Sequence, residues 1–425
     1  EHEAAEGYDT RLEAAVETFR NFTGTKKKRH LPSIPIKKIF EDKTYLLPSH
    51  DLLCAQLIQG ALKHAGFNAL IIEQTPETIY RSLRINDGQC LPVSVLAQGI
   101  LHTVLSHNLN PNNVAFLLNS EAELACNLPQ YPVMIKQLLE KMGKGMDKVD
   151  VMVTNFIPTD LPIEIMYGIS MSYIMAGLVQ KIVQKIRPRE KIQGLTDKCL
   201  QRTTTKLVEC FKTGTSKESI FKEVVNDFLK IEQRKGYFPQ VAIIGDLFVR
   251  DNDNFNQNLI GHIEKSDAEV ITVPFIDSLK LLAEIYFKNQ WLDGRYINLL
   301  KDKMVYKMAN IFNRKLEAIA KPILYDRLCE PKHGSLDYLQ KHFLTTKHSG
   351  ETVENLLKVY YLKNNYPDLK LFVNVNPIFC CPGLISETIY KKVEKEIGIP
   401  IISITYDGTQ TDKNRILNPY LYFMK

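Results

Sequence analysis

The sequence predicts an α/β fold in which two lobes, each a parallel sheet flanked by helices, are joined by a helical insert. Short apolar runs alternate with amphipathic helices from residue 44 to residue 153, and the alternation returns between residues 241 and 404. Between about residues 161 and 233 the strand pattern is lost and apolar residues recur at helical spacing. Apolar strands separated by helices are typical of parallel sheets covered on both faces, so we expect a doubly wound, flavodoxin-like arrangement.

The apolar pattern also places the individual elements. In the first lobe we predict strands at 45–47, 69–72, 114–118 and 149–153, with helices at 51–65, 92–107 and 130–142. In the insert, the clearest predicted helices are 197–211 and 217–232. In the second lobe we predict strands at 241–244, 270–273, 369–375 and 401–404, with long helices between residues 278 and 362.

These elements divide the chain into four regions. We expect an N-terminal helix and basic linker at 1–40, a first α/β lobe at 41–160, a helical insert at 161–235 and a second α/β lobe with long helices at 236–425. Position 1 is Glu rather than Met, which suggests that the chain is a piece of a longer polypeptide.

Composition narrows the class of protein. Of the 425 residues, 44% are hydrophobic and 24% are charged, and no apolar run is long enough to span a bilayer, so we expect a cytoplasmic protein without a membrane partner. The net charge of +6 comes from 54 basic and 48 acidic side chains, and the dense basic run is confined to residues 26–29. Such a run is usually a solvated linker, so no nucleic-acid partner is expected.

Three segments place a cysteine next to a proline where a helix is expected to start. They are 86–92 with Cys90, 125–131 with Cys126, and 376–383 with the adjacent pair Cys380 and Cys381. Main-chain N–H groups at a helix start favour thiolates, and parallel sheets gather such loops at one edge. These thiols could therefore form one site for an iron–sulfur cluster or Zn, although buried cysteines that only fill space explain the pattern equally well.

The other cysteines and the histidines point to no further metal site. Cys54, Cys199, Cys210 and Cys329 are expected to be core residues, because they lie on apolar helical faces or lack a matching turn. The histidines do not form an HExxH pattern, which argues against a zinc hydrolase. The chain also lacks a GxSxG elbow and a complete phosphate loop, so nucleotide hydrolysis has no support within it.

Three polar residues are further candidates for the crevice at the sheet edge. Asp246 and Arg250 follow a predicted strand and could fix an anion or a neighbouring loop, although a helix cap and a structural ion pair explain them nearly as well. Asp407 follows the last strand in an Asp-Gly pair, which is foremost a turn signal, and its carboxylate is expected to face the crevice that holds Cys380.

Four segments, in order along the chain, resemble the motifs of one known superfamily. They are 87–92 (Asp-Gly-Gln-Cys-Leu-Pro), Cys126 with 130–131 (Gln-Tyr), 245–250 (Gly-Asp-Leu-Phe-Val-Arg), and 376–383 (Asn-Pro-Ile-Phe-Cys-Cys-Pro-Gly) followed by 398–400 (Gly-Ile-Pro), 404–409 and Asn414. This order resembles the 2-hydroxyacyl-CoA dehydratase and double-cubane-cluster protein superfamily. It is most similar to the C-terminal part of the large acyl-CoA dehydratase activase-related proteins.

The resemblance implies a function. Cys90, Cys126 and Cys380 would ligate an iron–sulfur cluster, a 4Fe–4S cluster or double cubane, and Cys381 would stand where the family has Met or Cys. An ATP-dependent activator would drive electrons of very low potential through the cluster to a small-molecule substrate, an acyl-CoA being one example. The expected setting is the cytoplasm of an anaerobe, a homodimer is a compatible assembly, and an aerobic preparation could retain no cluster.

Two alternatives stay open at this point. The chain departs from the family pattern at Gln89, after Cys126 and at Asp246, which fits a catalytically decayed scaffold that docks the activator. A Zn or thiol redox module using the Cys380–Cys381 pair is the other alternative.

Overall fold

The computed structural model describes residues 12, 13, 16, 17, 19, 20, 43–119, 124–154, 161–328, 336–346, 348 and 350–424. In the N-terminal unit Glu1–Ile39 the described residues are helical, and the basic run 26–29 lies outside the described residues. All the strands and helices below belong to a second compact unit, Phe40–Lys425.

Two four-stranded parallel sheets form the centres of the two lobes. The first sheet has the spatial order second-first-third-fourth and consists of β1 (Thr44–Leu47), β2 (Asn68–Ile71), β3 (Val114–Asn119) and β4 (Asp150–Thr154). The second sheet repeats this order and consists of β5 (Gln240–Gly245), β6 (Glu269–Thr272), β7 (Leu369–Pro377) and β8 (Ile401–Tyr406). The strand order therefore reverses between β1 and β3 and between β5 and β7, the positions where doubly wound sheets bind ligands.

The strand sequences are apolar because both sheet faces are covered. Every residue of β5 is buried. Ala242 and Ile244 pack into one apolar cluster, while Val241 and Ile243 pack into another on the opposite face. Because side chains alternate across a strand, a strand covered on both faces must be apolar throughout.

Helices flank both sheets and form the insert between them. The first lobe holds α1 (Leu52–His64), α2 (Pro76–Ser82), α3 (Leu91–Ser106) and α4 (Tyr131–Met142). The insert holds α5 (Ile163–Ile186), α6 (Leu195–Thr213) and α7 (Lys217–Leu229). The second lobe holds α8 (Leu247–Arg250), α9 (Leu259–Glu264), α10 (Phe275–Leu292), α11 (Tyr296–Leu324), α12 (Leu336–Lys341), α13 (Glu351–Asn365), α14 (Cys381–Ile397) and α15 (Asn418–Phe423).

The insert shares its core with both lobes. Leu57 of α1, Ile182 of α5 and Leu316 of α11 are fully buried in one apolar cluster. An ion pair between Lys181 of α5 and Asp277 of α10, at 2.5 Å, also joins the insert to the second lobe. The helices of the insert therefore link the two lobes through a common core.

The two lobes also pack directly against each other. Leu91, at the start of α3 in the first lobe, lies in one buried cluster with Val375 of β7 and Tyr406 of β8. This contact brings the start of α3 next to the carboxyl ends of the strands of the second sheet.

The predicted fold class is confirmed: the structure is α/β, with two parallel sheets flanked by helices and a helical stretch between them. Each predicted strand corresponds to an observed strand, with ends that differ by a few residues. Among the described residues, none of the helices combines the length and the apolar character that crossing a membrane requires.

Candidate metal centre

Each of the three predicted cysteine ligands stands before a helix, as its proline suggests. Cys90 directly precedes α3, and Cys380 is the N-cap of α14. The Cys380 Sγ accepts a hydrogen bond from the Gly383 N–H at 3.4 Å, and the Cys126 Sγ accepts one from the Leu128 N–H at 3.3 Å. Two of these sulfur atoms are thus already held by main-chain donors.

The folded chain brings these three turns together. The Leu91 N–H donates to the Ile378 carbonyl at 3.3 Å, which joins the Cys90 turn to the Cys380 turn. The thiols of Cys90 and Cys380 hydrogen-bond to each other, and Cys126 interacts electrostatically with Cys90. Cys90 and Cys380 are only 6% and 5% exposed, and both belong to one buried cluster of the first lobe.

Two carboxylates complete this group of side chains. Asp246 follows β5 and Glu351 begins α13. Single ligand atoms of Asp246, Glu351 and Cys380 all lie within 4.8 Å of one another. We call the whole group the thiol pocket; its members are Cys90, Cys126, Cys380, Asp246 and Glu351.

The thiol pocket gathers acidic groups away from water, and this raises their pKa values. Burial raises the pKa of Cys126 to about 12, and the hydrogen bond that the Cys380 thiol donates to Cys90, together with burial, raises the pKa of Cys380 well above its usual value. Burial raises the pKa of Asp246 to about 6, and burial together with the nearby Asp246 charge raises the pKa of Glu351 strongly. A bound cation would reverse these shifts, because it stabilises thiolates and carboxylates.

Two buried cations lie on α8 and α13, but each is paired with a carboxylate outside the thiol pocket. The Arg250 guanidinium donates to both carboxylate oxygens of Asp251, at 2.9 and 2.6 Å. Lys358 forms an ion pair with Glu354, one turn earlier on α13. Arg250 therefore belongs to a structural ion pair, which is one of the two interpretations that the sequence left open.

The other predicted site residues lie in different settings. Cys381 is exposed, although it is the neighbour of Cys380. The Asp407 carboxylate accepts hydrogen bonds from the N–H and the hydroxyl of Thr409, at 3.0 and 2.7 Å, and pairs with Lys413 at 2.7 Å. Asp407 thus holds its own turn, as the Asp-Gly signal indicates.

The remaining cysteines lie apart from the thiol pocket. Cys54 and Cys199 are buried in the apolar core of the helical insert, and Cys210 is buried on α6. Cys329 lies outside the described residues.

Sequence reasoning missed Glu351 and the role of Tyr131. Glu351 is one of several acidic residues in a helical stretch, and nothing in its local pattern predicts that α13 starts beside β5. The Tyr131 hydroxyl hydrogen-bonds to Cys90. The Tyr131 signal was available, since the residue lies in the segment that carries the family resemblance.

A cavity of about 570 Å³ lies at the carboxyl ends of β1 and β2, in the same crevice. Its lining is partly polar and includes the side chains of Asp51, Gln74, Gln180 and Asn252. A smaller hollow shares Asp51 and Gln180 with this cavity and reaches Leu247, whose N–H donates to the Glu351 carboxylate at 3.1 Å. The cavity is thus separated from the thiol pocket by the first turn of α8, and its size suits a small molecule.

The donor set of the thiol pocket fits a thiophilic metal centre. Three thiols and two carboxylates offer both soft and hard ligands, and main-chain N–H groups are in place to stabilise charged sulfur. Comparison of the chain with protein-family models found no match, and comparison with curated proteins found none either.

Proposed function

We propose that the protein is an iron–sulfur protein, in which Cys90, Cys126 and Cys380 hold a 4Fe–4S cluster. It would receive low-potential electrons from an ATP-dependent activator and deliver them to a small-molecule substrate. The expected setting is the cytoplasm of an anaerobic cell. The single observation that carries the proposal is the meeting of three thiols from remote turns in one buried pocket.

Convergence of these thiols supports a site rather than core filling. A buried cysteine that only fills space needs apolar neighbours, as Cys199 has in the helical core. Cys90 and Cys380 also pack into an apolar cluster, but the cysteines of the thiol pocket in addition neighbour one another, two carboxylates and the Tyr131 hydroxyl. Gathering so many acidic groups is unfavourable unless a cation compensates them.

The residues of this chain would hold and tune the cluster. The N–H groups of Gly383 and Leu128 and the hydroxyl of Tyr131 point at the cysteine sulfurs and would favour a more negative, reduced centre. When bound, a cluster of this kind supplies one-electron transfer. The 570 Å³ cavity next to α8 is our candidate for the substrate site.

The test is anaerobic reconstitution of the full chain with iron and sulfide, followed by electron paramagnetic resonance of the reduced sample. We expect a cluster signal in the wild-type protein and its loss in the Cys90→Ser, Cys126→Ser and Cys380→Ser variants. Cys199→Ser and Cys54→Ser are controls, because they change buried thiols outside the thiol pocket. Equal signals in all five variants, or no cluster in the wild type, would overturn the proposal.

A mononuclear Zn site is the second candidate, favoured by the 4.8 Å grouping of Asp246, Glu351 and Cys380. Zn binds thiolate and carboxylate ligands at about 2.0–2.3 Å in a tetrahedral shell, which such a group could supply after small movements. Metal analysis of protein isolated without added metal separates the two candidates. Stoichiometric Zn without sulfide supports this second candidate, and iron with sulfide excludes it.

A further inference from the structure

Glu351 is the carboxylate that faces all three cysteines of the thiol pocket. It interacts electrostatically with Cys90, with Cys126 and with Cys380. One of its oxygens lies within 4.8 Å of the Cys380 Sγ. Asp246 is the other member of the thiol pocket that offers a hard oxygen ligand close to the thiols.

The backbone fixes the position of this carboxylate. Glu351 is the first residue of α13, where the N-terminal end of the helix favours a negative charge. The Leu247 N–H donates to Glu351 Oε1 at 3.1 Å, and the protonated Glu351 carboxyl group donates a hydrogen bond to the Asp246 carboxylate. Asp246 is itself held, since its Oδ1 accepts the Val249 N–H at 3.0 Å as the N-cap of α8. The carboxylate is thus oriented from two sides before any metal binds.

The two buried cations on the neighbouring elements are paired with carboxylates other than Glu351. Arg250 and Lys358 are engaged with Asp251 and Glu354, so neither serves as the dedicated partner of Glu351. Glu351 is half-buried, and a charged carboxylate at this position beside three thiols is costly without a cation of its own. A metal centre in the thiol pocket would supply that cation.

Three cysteines leave one iron of a 4Fe–4S cluster without a thiolate, because each iron needs a terminal ligand. We propose that Glu351 would be the protein ligand of that iron, oriented by Asp246. An oxygen ligand is harder than a thiolate and suits an exchangeable position. This inference rests on the proposed function.

The test is Mössbauer spectroscopy of the full chain reconstituted anaerobically with enriched iron, comparing wild type with Glu351→Gln. In the wild type we expect one iron in about four to differ from the others, as oxygen ligation predicts. In Glu351→Gln we expect that distinct component to shift or to be lost, with up to about a quarter of the iron released on mild oxidation. Glu387→Gln is the matched control, because Glu387 lies on α14 and contacts Asn376 rather than a thiol.

The outcomes separate the inference from the proposed function. A wild-type chain that binds no cluster overturns both. A cluster whose spectrum and iron content are the same in wild type and Glu351→Gln overturns the ligand assignment and leaves the proposed function standing. Glu351→Asp covers the case in which the amide variant does not fold: it keeps the ligand type, and we expect it to keep a distinct iron component.

Discussion

The thiols of Cys90 and Cys380 hydrogen-bond to each other, although one precedes a helix of the first lobe and the other caps a helix of the second. This contact lies near the carboxyl ends of the strands at which the strand order reverses. Cys126 follows β3, Asp246 follows β5 and Cys380 follows β7. The thiol pocket is therefore built by both lobes, and a metal bound there would tie them together. Metal binding to the folded chain should accordingly raise its resistance to unfolding.

If the proposed cluster is bound, replacing Tyr131 with Phe should lower its reduction potential. The Tyr131 hydroxyl hydrogen-bonds to Cys90, and such bonds stabilise the more negative, reduced state. A redox titration followed by electron paramagnetic resonance measures the shift. Tyr173→Phe is the control, because the Tyr173 hydroxyl accepts a hydrogen bond from Asn119 and interacts with no cysteine of the thiol pocket in the described contacts. An unchanged reduction potential in Tyr131→Phe would show that the Tyr131 hydroxyl does not tune the cluster.

Gly245→Ala should disrupt the edge of the second sheet. Gly245 has φ +114°, and a Cβ there would lie 2.0 Å from the Val375 carbonyl oxygen and 2.6 Å from its nitrogen. Because both strands are locked in the sheet, we expect a loss of at least about 3 kcal/mol in the free energy of unfolding. Gly398→Ala, at φ +69° with open space around it, should cost about 1–2 kcal/mol. Denaturant unfolding compares the two, and equal losses would contradict the packing argument.

Asp51 should make the fold less stable as the pH rises. Burial raises the pKa of Asp51 from 3.8 to about 7, so the folded chain favours the protonated acid. Its stabilising contribution is complete below the unfolded pKa and is lost as the pH climbs through about 7. Asp51→Asn keeps an acceptor for the Cys54 N–H, bonded at 3.0 Å, and removes the titration.

Urea unfolding at about pH 5 and about pH 8 measures this effect. We expect a smaller loss of stability in Asp51→Asn than in wild type. Part of the loss should persist, because burial also raises the pKa of Glu264 to about 7. Parallel pH profiles for the two proteins would show that Asp51 does not titrate as its burial implies.

Asp277→Asn should cost far more stability than the matched change Asp227→Asn. Asp277 is buried between Lys181 and Lys280, at 2.5 and 2.9 Å, and although burial opposes ionisation the two lysines hold its pKa at about 2. Asp227 also lies between two lysines, but it is partly exposed. We expect a loss of about 3–5 kcal/mol for Asp277→Asn, because two buried charges lose their partner.

For Asp227→Asn, screening by solvent should limit the loss to less than about 1 kcal/mol. Thermal or denaturant unfolding of both variants gives the comparison. A loss at Asp277 as small as that at Asp227 would mean that the contact between the insert and the second lobe does not depend on this ion pair.

The sequence predicted the strands well because doubly covered strands such as β5 must be apolar from end to end. It also predicted which turns carry the thiols, since Cys90 and Cys380 each have a proline two residues later. Their proximity depends on how two sheets face each other, which local patterns do not encode. Glu351 was missed for the same reason: a glutamate at a helix start is common, and only tertiary packing places this one beside Asp246.

The central claim is that Cys90, Cys126 and Cys380 together hold one metal centre. The most direct measurement is the iron, acid-labile sulfide and zinc bound per chain after anaerobic isolation, in wild type and in a triple Cys→Ser variant of these residues. The account predicts nearly equal amounts of iron and sulfide in the wild type and neither in the triple variant. Metal-free wild-type protein, or a triple variant that keeps its iron and sulfide, would contradict it.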